Sequence, residues 1–265
     1  MSEDDALREG ALKLLEAGVP DPGREARLLW RAANDAQTYF AMIAERARRK
    51  PMSHILGYRD FYKHRFIVTP DVLDPRPETE TLIEAALQVG FDRVLDLGTG
   101  SGCVLLSLLD ERKAATGVGT DISKPALDVA GRNGAAIGVG KRAVFTISDW
   151  FATVEGTFDL IVSNPPYIAF DEMDVLQPEV QLFEPFSALT DGADGLSAYS
   201  AIVAGASAFL RRGGSLMVEI GPTQGQTVQK MMQDAKFTDV SVIPDLDGRD
   251  RVVIGKKPQN HELSS

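Results

Sequence analysis

The 265-residue sequence contains a single cysteine, Cys103, and only three histidines, which lie far apart along the chain. One cysteine cannot form an internal disulfide, and no spacing of His and Cys is typical of a structural metal site. We therefore predict a protein without disulfides and without a bound metal.

Long hydrophobic runs are also missing. No stretch approaches the ~18 consecutive apolar residues that a membrane-spanning helix needs. The first residues, Met1 to Asp5, are acidic where a secretory signal would be basic and then apolar. With 44% hydrophobic and 25% charged residues the composition is that of an ordinary globular protein. We expect no membrane association and a cytoplasmic location.

Positive charge is in short supply, since the formal net charge is −10. Proteins that coat nucleic acid neutralise phosphates with clustered Lys and Arg, so this balance argues against stable nucleic-acid binding. The basic run from Arg46 to Lys50 is the main local exception. It is either a contact for RNA or an acidic partner, or a solvated helix end where cations favour the helix dipole, and we expect the second.

The chain divides into units with different patterns. Residues 1–58 contain short amphipathic segments separated by Gly/Pro turns, which predicts a small N-terminal helical bundle. Residues 59–75 are rich in aromatic and β-branched types and predict a linking β-hairpin. From 76 to 258 strands and helices alternate, which predicts a Rossmann-like α/β domain with a mostly parallel seven-stranded sheet. We expect residues 259–265 to form a disordered tail.

A glycine loop follows the first strand of this domain, with the sequence Asp96-Leu97-Gly98-Thr99-Gly100-Ser101-Gly102. A doubly wound fold binds its ligand at such a strand-to-helix turn. Nucleotide-binding dehydrogenases use a related G-x-G-x-x-G loop, so the glycines alone leave that alternative open. Here the spacing is G-x-G-x-G and a carboxylate, Asp96, precedes it. That carboxylate suits the cationic amino end of a methionine moiety better than a pyrophosphate.

Two further strand ends carry residues that suit a nucleoside. Asp121 ends the second strand, where a carboxylate can accept hydrogen bonds from both ribose hydroxyls. At the end of the third strand Trp150 can cover an adenine face and Asp149 can fix its edge. Taken singly, these are explained by a turn glycine, a helix N-cap or a buried tryptophan. Their occurrence at consecutive strand ends predicts one site, for S-adenosylmethionine.

The fourth strand runs directly into Asn164-Pro165-Pro166-Tyr167. The prolines fix φ and remove two backbone donors, so the segment is stiff and its carbonyls are available to a ligand. The Asn164 side-chain oxygen and the Pro165 carbonyl can accept the two N–H bonds of an NH2 group, with Tyr167 packed on its planar face. Such acceptors orient a poor amide nucleophile and stabilise the charge that develops on it. The alternative is a proline turn that merely ends a strand.

Together these motifs resemble the release-factor glutamine N5-methyltransferases, the HemK/PrmC family. The resemblance extends from about residue 51 to 255 and rests on Pro51-Met52-Ser53-His54-Ile55-Leu56-Gly57, Phe61-Tyr62, Pro75-Arg76-Pro77-Glu78-Thr79-Glu80, the glycine loop, Ser148-Asp149-Trp150-Phe151 and Asn164 to Tyr167. Asn-Pro-Pro-Tyr is shared with amino-directed DNA and RNA methyltransferases. The Pro-Arg-Pro-Glu-Thr-Glu segment just ahead of the glycine loop is more specific to this family.

The resemblance implies an enzyme that methylates the N5 amide of the glutamine in the Gly-Gly-Gln motif of class-1 peptide-chain release factors. It implies that Gly98 to Gly102, Asp121, Trp150 and Asn164 hold S-adenosylmethionine. Asn164, Pro165, Pro166 and Tyr167 would hold the glutamine amide, and Phe61 would form an aromatic wall of that pocket. The helical bundle would meet the release factor. Two alternatives stay open: a DNA or RNA amino methyltransferase of the N6-adenine type, and a non-enzymatic cofactor-binding module.

Overall fold

The N-terminal part of the chain is a set of helices around its own apolar core. The computed structural model describes residues 2–259, so the predicted tail lies, apart from Gln259, outside the described residues. The first helices are α1 (Glu3–Glu16), α2 (Pro22–Ala32), α3 (Ala36–Ala47) and α4 (Met52–Leu56). Ser2 begins α1 with a capping box that satisfies its first backbone donors. Leu14, Leu29, Tyr39 and Ile43 are fully buried at the centre.

A short antiparallel hairpin follows the bundle, with β1 (Tyr58–Phe61) and β2 (His64–Ile67). Its core-facing residue Phe66 is fully buried in the same apolar cluster as the first helix of the following α/β unit. The hairpin is therefore packed onto that unit rather than suspended between two bodies.

The α/β unit has the predicted sheet of seven mostly parallel strands. Its strands are β3 (Arg93–Leu97), β4 (Thr116–Asp121), β5 (Ala143–Ile147), β6 (Phe158–Ser163), β7 (Leu210–Glu219), β8 (Thr238–Pro244) and β9 (Asp250–Lys256). They lie in the order β5-β4-β3-β6-β7-β9-β8, and the last two join as an antiparallel pair. The prediction of an α/β fold of this class is confirmed, including the antiparallel pair at its end.

Helices cover both faces of the sheet and create two separate apolar layers. The covering helices are α5 (Glu80–Leu87), α6 (Cys103–Glu111), α7 (Lys124–Ile137), α10 (Ser197–Phe209) and α11 (Gly225–Asp234). Two short helices, α8 (Pro178–Phe183) and α9 (Phe186–Leu189), lie in the connection before α10. None of the helices between residues 2 and 259 has the length and hydropathy needed to span a bilayer. The strand order reverses at β3, which has β4 on one side and β6 on the other, both parallel to it. In open sheets a ligand binds at such a reversal, outside the carboxyl ends of the strands.

Two parts of the α/β unit differ from the pattern read in the sequence. The long connection between Tyr167 and α10, for which no element was predicted, contains a 3₁₀ segment (Phe170–Val175) followed by α8 and α9. β7 begins at Leu210, six residues before the apolar run at Leu216, because Leu210 pairs with Phe158 across a bulge. Gly213 and Gly214 in that stretch hid the strand, since glycine is depleted in strands.

One buried amide joins three of these elements. Asn133 on α7 accepts from the Ile67 backbone N–H at 2.7 Å, and its Nδ2 donates to the carbonyls of Ile67 at 3.1 Å and Ser101 at 2.9 Å. It thereby ties the hairpin and the glycine loop to the same helix, at full burial.

We expect Asn133→Ala to lower the free energy of unfolding by about 3 kcal/mol, because it leaves buried backbone groups of Ile67 and Ser101 without partners. Urea denaturation measures this. Arg132→Ala, at an exposed position of the same helix, is the matched control and should change the value by less than about 0.5 kcal/mol. Equal effects of the two substitutions would contradict the role given to Asn133.

Candidate active site

A cavity of about 350 Å³ lies at the carboxyl ends of the central strands. Its walls come from the glycine loop after β3, the end of β4, the turn after β5 and the start of the Asn-Pro-Pro-Tyr segment after β6. Parallel strands end at the same edge of a sheet, so residues distant in sequence meet there. The volume lies in the range of sites for small organic ligands.

Within the glycine loop, the backbone conformation favours glycine, and two of the glycines border open space. Gly98 and Gly100 have φ of +68° and +55°, a region that residues with a Cβ rarely adopt. A Cβ at either position would meet no protein atom within 4 Å, and both residues line the cavity. Gly102 differs, because its Cβ would lie 2.9 Å from Leu106, so it allows close packing of α6 instead. The loop thus leaves backbone exposed to a ligand.

Two carboxylates flank the loop. Asp121 accepts from the backbone N–H groups of Gly100 and Ser123, each at 2.9 Å. Burial raises the pKa of Asp121 despite these two donors. Asp96 is buried more deeply and accepts from the Thr99 hydroxyl at 2.7 Å, and burial raises its pKa to about 7. No Lys or Arg among residues 2–259 forms an ion pair with Asp96.

The turn after β5 closes another side of the cavity. Ser148, Asp149 and Trp150 all line it, as do Thr99 and Ser101 of the glycine loop. Trp150 has a φ of +46°, which is uncommon for a bulky side chain and marks a locally constrained backbone. Its ring also packs against the apolar layer beneath the sheet. The tryptophan is therefore fixed at the cavity wall.

A smaller cavity of about 170 Å³ adjoins the first. Leu73, Arg76, Asn164 and Ala188 line both cavities, so the two share a wall. Pro165 and Tyr167 line the smaller cavity, whereas Pro166 lines the larger one. The Asn-Pro-Pro-Tyr segment thus lies between a large compartment and a small one.

The orientation of the Asn164 amide is set by Thr79, at the end of the Pro-Arg-Pro-Glu-Thr-Glu segment. Asn164 Nδ2 donates to Thr79 Oγ1 at 3.2 Å. Asn164 Oδ1 is buried and has no hydrogen-bond partner among residues 2–259. Because buried polar atoms in folded proteins nearly always have a partner, this oxygen is a candidate acceptor for a bound ligand.

Tyr167 is anchored from behind by the end of β7. Its hydroxyl donates to Glu219 Oε1 at 3.4 Å, and its backbone carbonyl accepts from Gln224 Nε2 at 2.9 Å. Burial raises the pKa of Tyr167 above its usual value, so the phenol stays protonated. Burial also raises the pKa of Glu219 to about 7, against the neighbouring Thr79 hydroxyl and the charge of Arg251.

Phe61 does not lie where the family resemblance led us to expect it. Its side chain is 4% exposed and packs edge-to-face on Phe66, with 5.9 Å between ring centroids. It lines neither of the two cavities. The hairpin turns this ring into the core beside α5, so Phe61 supports the fold and is not a wall of the pocket. Leu73, in contrast, lines both cavities.

An ion pair at the wall between the cavities was not predicted from the sequence. Arg76 Nη2 donates to both oxygens of Glu184, at 2.6 and 2.7 Å, and the Glu184 side chain is 1% exposed. Burial raises the pKa of Glu184 to about 7, although the Arg76 charge opposes the rise. The unusual length of the connection that carries Glu184 was the available signal, since long connections in compact domains often serve a site.

Taken together, the larger cavity can hold a ligand with a cationic group near Asp96 and hydroxyls near Asp121. The smaller cavity can hold a planar polar group beside Asn164. Two ligands bound in this way would meet at the shared wall, which is an arrangement for group transfer between them.

Comparisons with known proteins identify the family. The profile described as "Methyltransferase small domain" matches residues 70–179. A release factor glutamine methyltransferase from Cereibacter sphaeroides is 50% identical, covering 97% of this chain and 99% of its own. The protein of the same name from Rhodospirillum rubrum is 42% identical over 95% of this chain and 84% of its own. That from Caulobacter vibrioides is 39% identical over 92% and 93%.

Solved structures share the fold at low identity. The catalytic domain of hMettl16, in complex with the MAT2A 3'UTR hairpin 6, has a TM-score of 0.61 at 14% identity, covering 74% of this chain and 76% of its own. A methyltransferase from Pyrococcus furiosus has a TM-score of 0.56 at 17% identity, covering 73% and 88%. The similarity in sequence over nearly its whole length is more specific, and this chain belongs to the family of the release factor glutamine methyltransferases.

Proposed function

We propose that this enzyme transfers a methyl group from S-adenosylmethionine to the N5 amide of the glutamine in the Gly-Gly-Gln motif of class-1 peptide-chain release factors. The main observation behind the proposal is the Asn164 side chain, whose amide is oriented by a hydrogen bond to Thr79 and lies at the wall between a large and a small cavity. The names of the curated relatives support the choice of acceptor protein.

The residues of the larger cavity fit this cofactor. Open space at Gly98 and Gly100 leaves room for a ligand against the loop backbone. Asp96 is buried without a cation, so an α-amino group bound there would lower its pKa and supply the missing charge. The Asp121 oxygens can accept from ribose hydroxyls while they hold the loop, and Trp150 offers an apolar face to a base.

When bound, S-adenosylmethionine supplies an electrophilic methyl group on a sulfonium. The chain's own residues must then hold the amide nitrogen toward that group. Asn164 Oδ1 and the Pro165 carbonyl accept the two N–H bonds of the glutamine amide, and Tyr167 packs on its plane. These acceptors stabilise the positive charge that develops on nitrogen, and they are already fixed before the substrate arrives. None of these steps needs a side chain to remove a proton before methyl transfer.

The surface beside the smaller cavity favours a polypeptide over a nucleic acid. Phe170, Val175, Leu182 and Phe186 are all exposed on the connection that follows Tyr167. Three acids of the same connection, Asp171, Glu172 and Asp174, are also exposed. Acidic groups repel phosphates, whereas exposed apolar side chains are typical of protein contacts. This supports the release factor over the DNA or RNA alternative.

Incubation of the enzyme with labelled methyl donor and a purified release factor tests the proposal. Mass spectrometry should find one added methyl on the glutamine of the Gly-Gly-Gln loop, and DNA or RNA offered in parallel should stay unlabelled. Label that appears only in nucleic acid would overturn it.

We expect Asn164→Ala to lower kcat by about a hundredfold or more, because an acceptor that acts in the transition state is lost. Cofactor affinity should fall only moderately.

The role of Thr79 is tested by a pair of substitutions. Thr79→Val keeps the shape but removes the acceptor for Asn164 Nδ2, so the amide can rotate, and we expect kcat to fall about tenfold. Thr79→Ser retains the oxygen and should keep kcat within about twofold of the parent. Single-turnover kinetics with saturating cofactor measures both. Equal loss in the two variants would show that packing alone matters at this position.

Asp121→Ala should weaken cofactor binding by about tenfold or more, because hydrogen bonds to a charged carboxylate are lost. Isothermal calorimetry measures the dissociation constant without any acceptor protein. Asp234→Ala, at an exposed aspartate of α11, is the control and should leave the constant unchanged. A thermal melt of each variant separates loss of binding from loss of fold.

A further inference from the structure

Residues 170–189, called the strap below, contain the 3₁₀ segment, α8 and α9. The strap forms one wall of the smaller cavity through Leu176, Val180, Ala188 and Leu189. Its position therefore decides the shape of the compartment opposite Asn164 and Tyr167. Backbone hydrogen bonds fix its two ends to neighbouring chain, from Ile168 to Leu189 and from Phe170 to Ala193. The middle, α8, is held by side chains instead.

A charged cluster joins α8 to the helical bundle. Glu179 accepts from Arg49 at 2.8 and 2.7 Å and lies 2.9 Å from Arg46 Nη1. Arg46 also donates to Glu25 at 2.6 Å, so two acids and two arginines alternate across α2, the end of α3 and α8. The side chains of Arg46 and Glu179 are only 4% and 12% exposed. Arg46 and Arg49 of the basic run are thus internal contacts, and our expectation of a solvated helix end was wrong for these two arginines, whereas Arg48 is exposed.

The other end of α8 is held by a second pair, Arg76 with Glu184. Arg76 belongs to the segment that precedes the glycine loop, and it lines both cavities. The strap therefore has an acid at each end of α8. Glu179 pairs with arginines of the helical bundle, and Glu184 pairs with Arg76 of the segment before the glycine loop. The sequence between these acids, Val180 to Phe183, contributes Val180 to the cavity wall.

Such buried clusters fix geometry more than they add stability. An ion pair taken out of water gains little net free energy, but removal of one partner leaves an uncompensated buried charge. Arg49 illustrates the constraint, since it has a φ of +68° and also donates to the Gly18 carbonyl at 2.7 Å. Arg49 thus has an uncommon backbone conformation and contacts both α8 and the turn that follows α1.

We propose that Arg46, Arg49 and Glu179 are positioning residues, through which the helical bundle sets the acceptor-side wall of the active site. The identity of the acceptor rests on the function proposed above, whereas the contact between bundle and strap does not. We expect the cluster to act mainly on acceptor binding, because Val180, next to Glu179, lines the smaller cavity and not the larger one. The strap borders the larger cavity only beyond Glu184, through Pro185, Ser187 and Ala188. The bundle is then part of the acceptor site as well as a surface for a partner.

Arg49→Gln tests this against Arg48→Gln, its neighbour in sequence. Arg48 is 77% exposed, and within the described residues 2–259 its one ion pair is with Glu45 of α3. Both changes remove one positive charge from the same end of α3. We expect Arg49→Gln to raise KM for the release factor roughly tenfold with kcat within about twofold. Arg48→Gln should leave KM unchanged. Calorimetry should give the same cofactor affinity for both variants and the parent.

Glu179→Gln approaches the same contact from the strap. If the cluster acts as a unit, the double variant Arg49→Gln/Glu179→Gln should raise KM no more than either single change. Additive effects would overturn the proposal, since they would mean that each residue contacts the substrate independently. Equal effects of Arg48→Gln and Arg49→Gln would overturn it as well.

Hydrogen exchange on the enzyme without any substrate provides an independent readout. In Arg49→Gln and Glu179→Gln the amides of residues 176–183 should exchange at least about threefold faster than in the parent. Those of α1 should keep the parent rate, which checks that the bundle remains folded. Unchanged exchange in the strap would refute the positioning role, even if the release factor proved not to be the acceptor. Absence of methyl transfer with faster strap exchange would instead contradict only the proposed function.

Discussion

The geometry of the site depends on one hydrogen bond, from Asn164 Nδ2 to Thr79 Oγ1. An amide side chain can present either its oxygen or its nitrogen to a ligand, and the two faces have opposite chemistry. With the nitrogen committed to Thr79, the oxygen remains as a buried acceptor without a partner among the described residues. Two prolines after Asn164 remove the backbone freedom that would let the group turn away. A preorganised acceptor follows from these two constraints together.

Around this bond the protein keeps several acids out of water. Burial raises the pKa of Asp96, Glu184 and Glu219 to about 7 in each case. Each has a distinct partner: the Thr99 hydroxyl, the Arg76 guanidinium and the Tyr167 hydroxyl. Of these three acids only Asp96 lines the larger cavity, and it has no ion-pair partner among residues 2–259. The arrangement leaves a cationic ligand as the natural complement for Asp96, while the other two carboxylates hold the walls that surround Asn164.

The Pro-Arg-Pro-Glu-Thr-Glu segment connects these features, because three of its side chains act in three directions. Arg76 binds Glu184 of the strap, Thr79 orients Asn164, and Glu80 accepts from the Tyr62 backbone N–H of the hairpin at 3.0 Å. The bundle reaches the same strap from its other end through Glu179. Hairpin, bundle and sheet domain are therefore linked through this segment and through the strap that lines the smaller cavity.

The sequence by itself determined the sheet, the glycine loop and the Asn-Pro-Pro-Tyr segment, because these depend on local patterns: alternation of strands and helices, glycines at positive φ, and prolines after a strand. Only the tertiary structure decided which side chains meet. Phe61 and Glu184 are separated from the loop in sequence, and nothing local says that one ring enters the core while one acid reaches Arg76. The basic residues around Arg46 likewise predict an exposed helix end, whereas in the folded protein α8 packs against Arg46. Pairing of buried charges is a long-range constraint, and the chain must fold before its partners are defined.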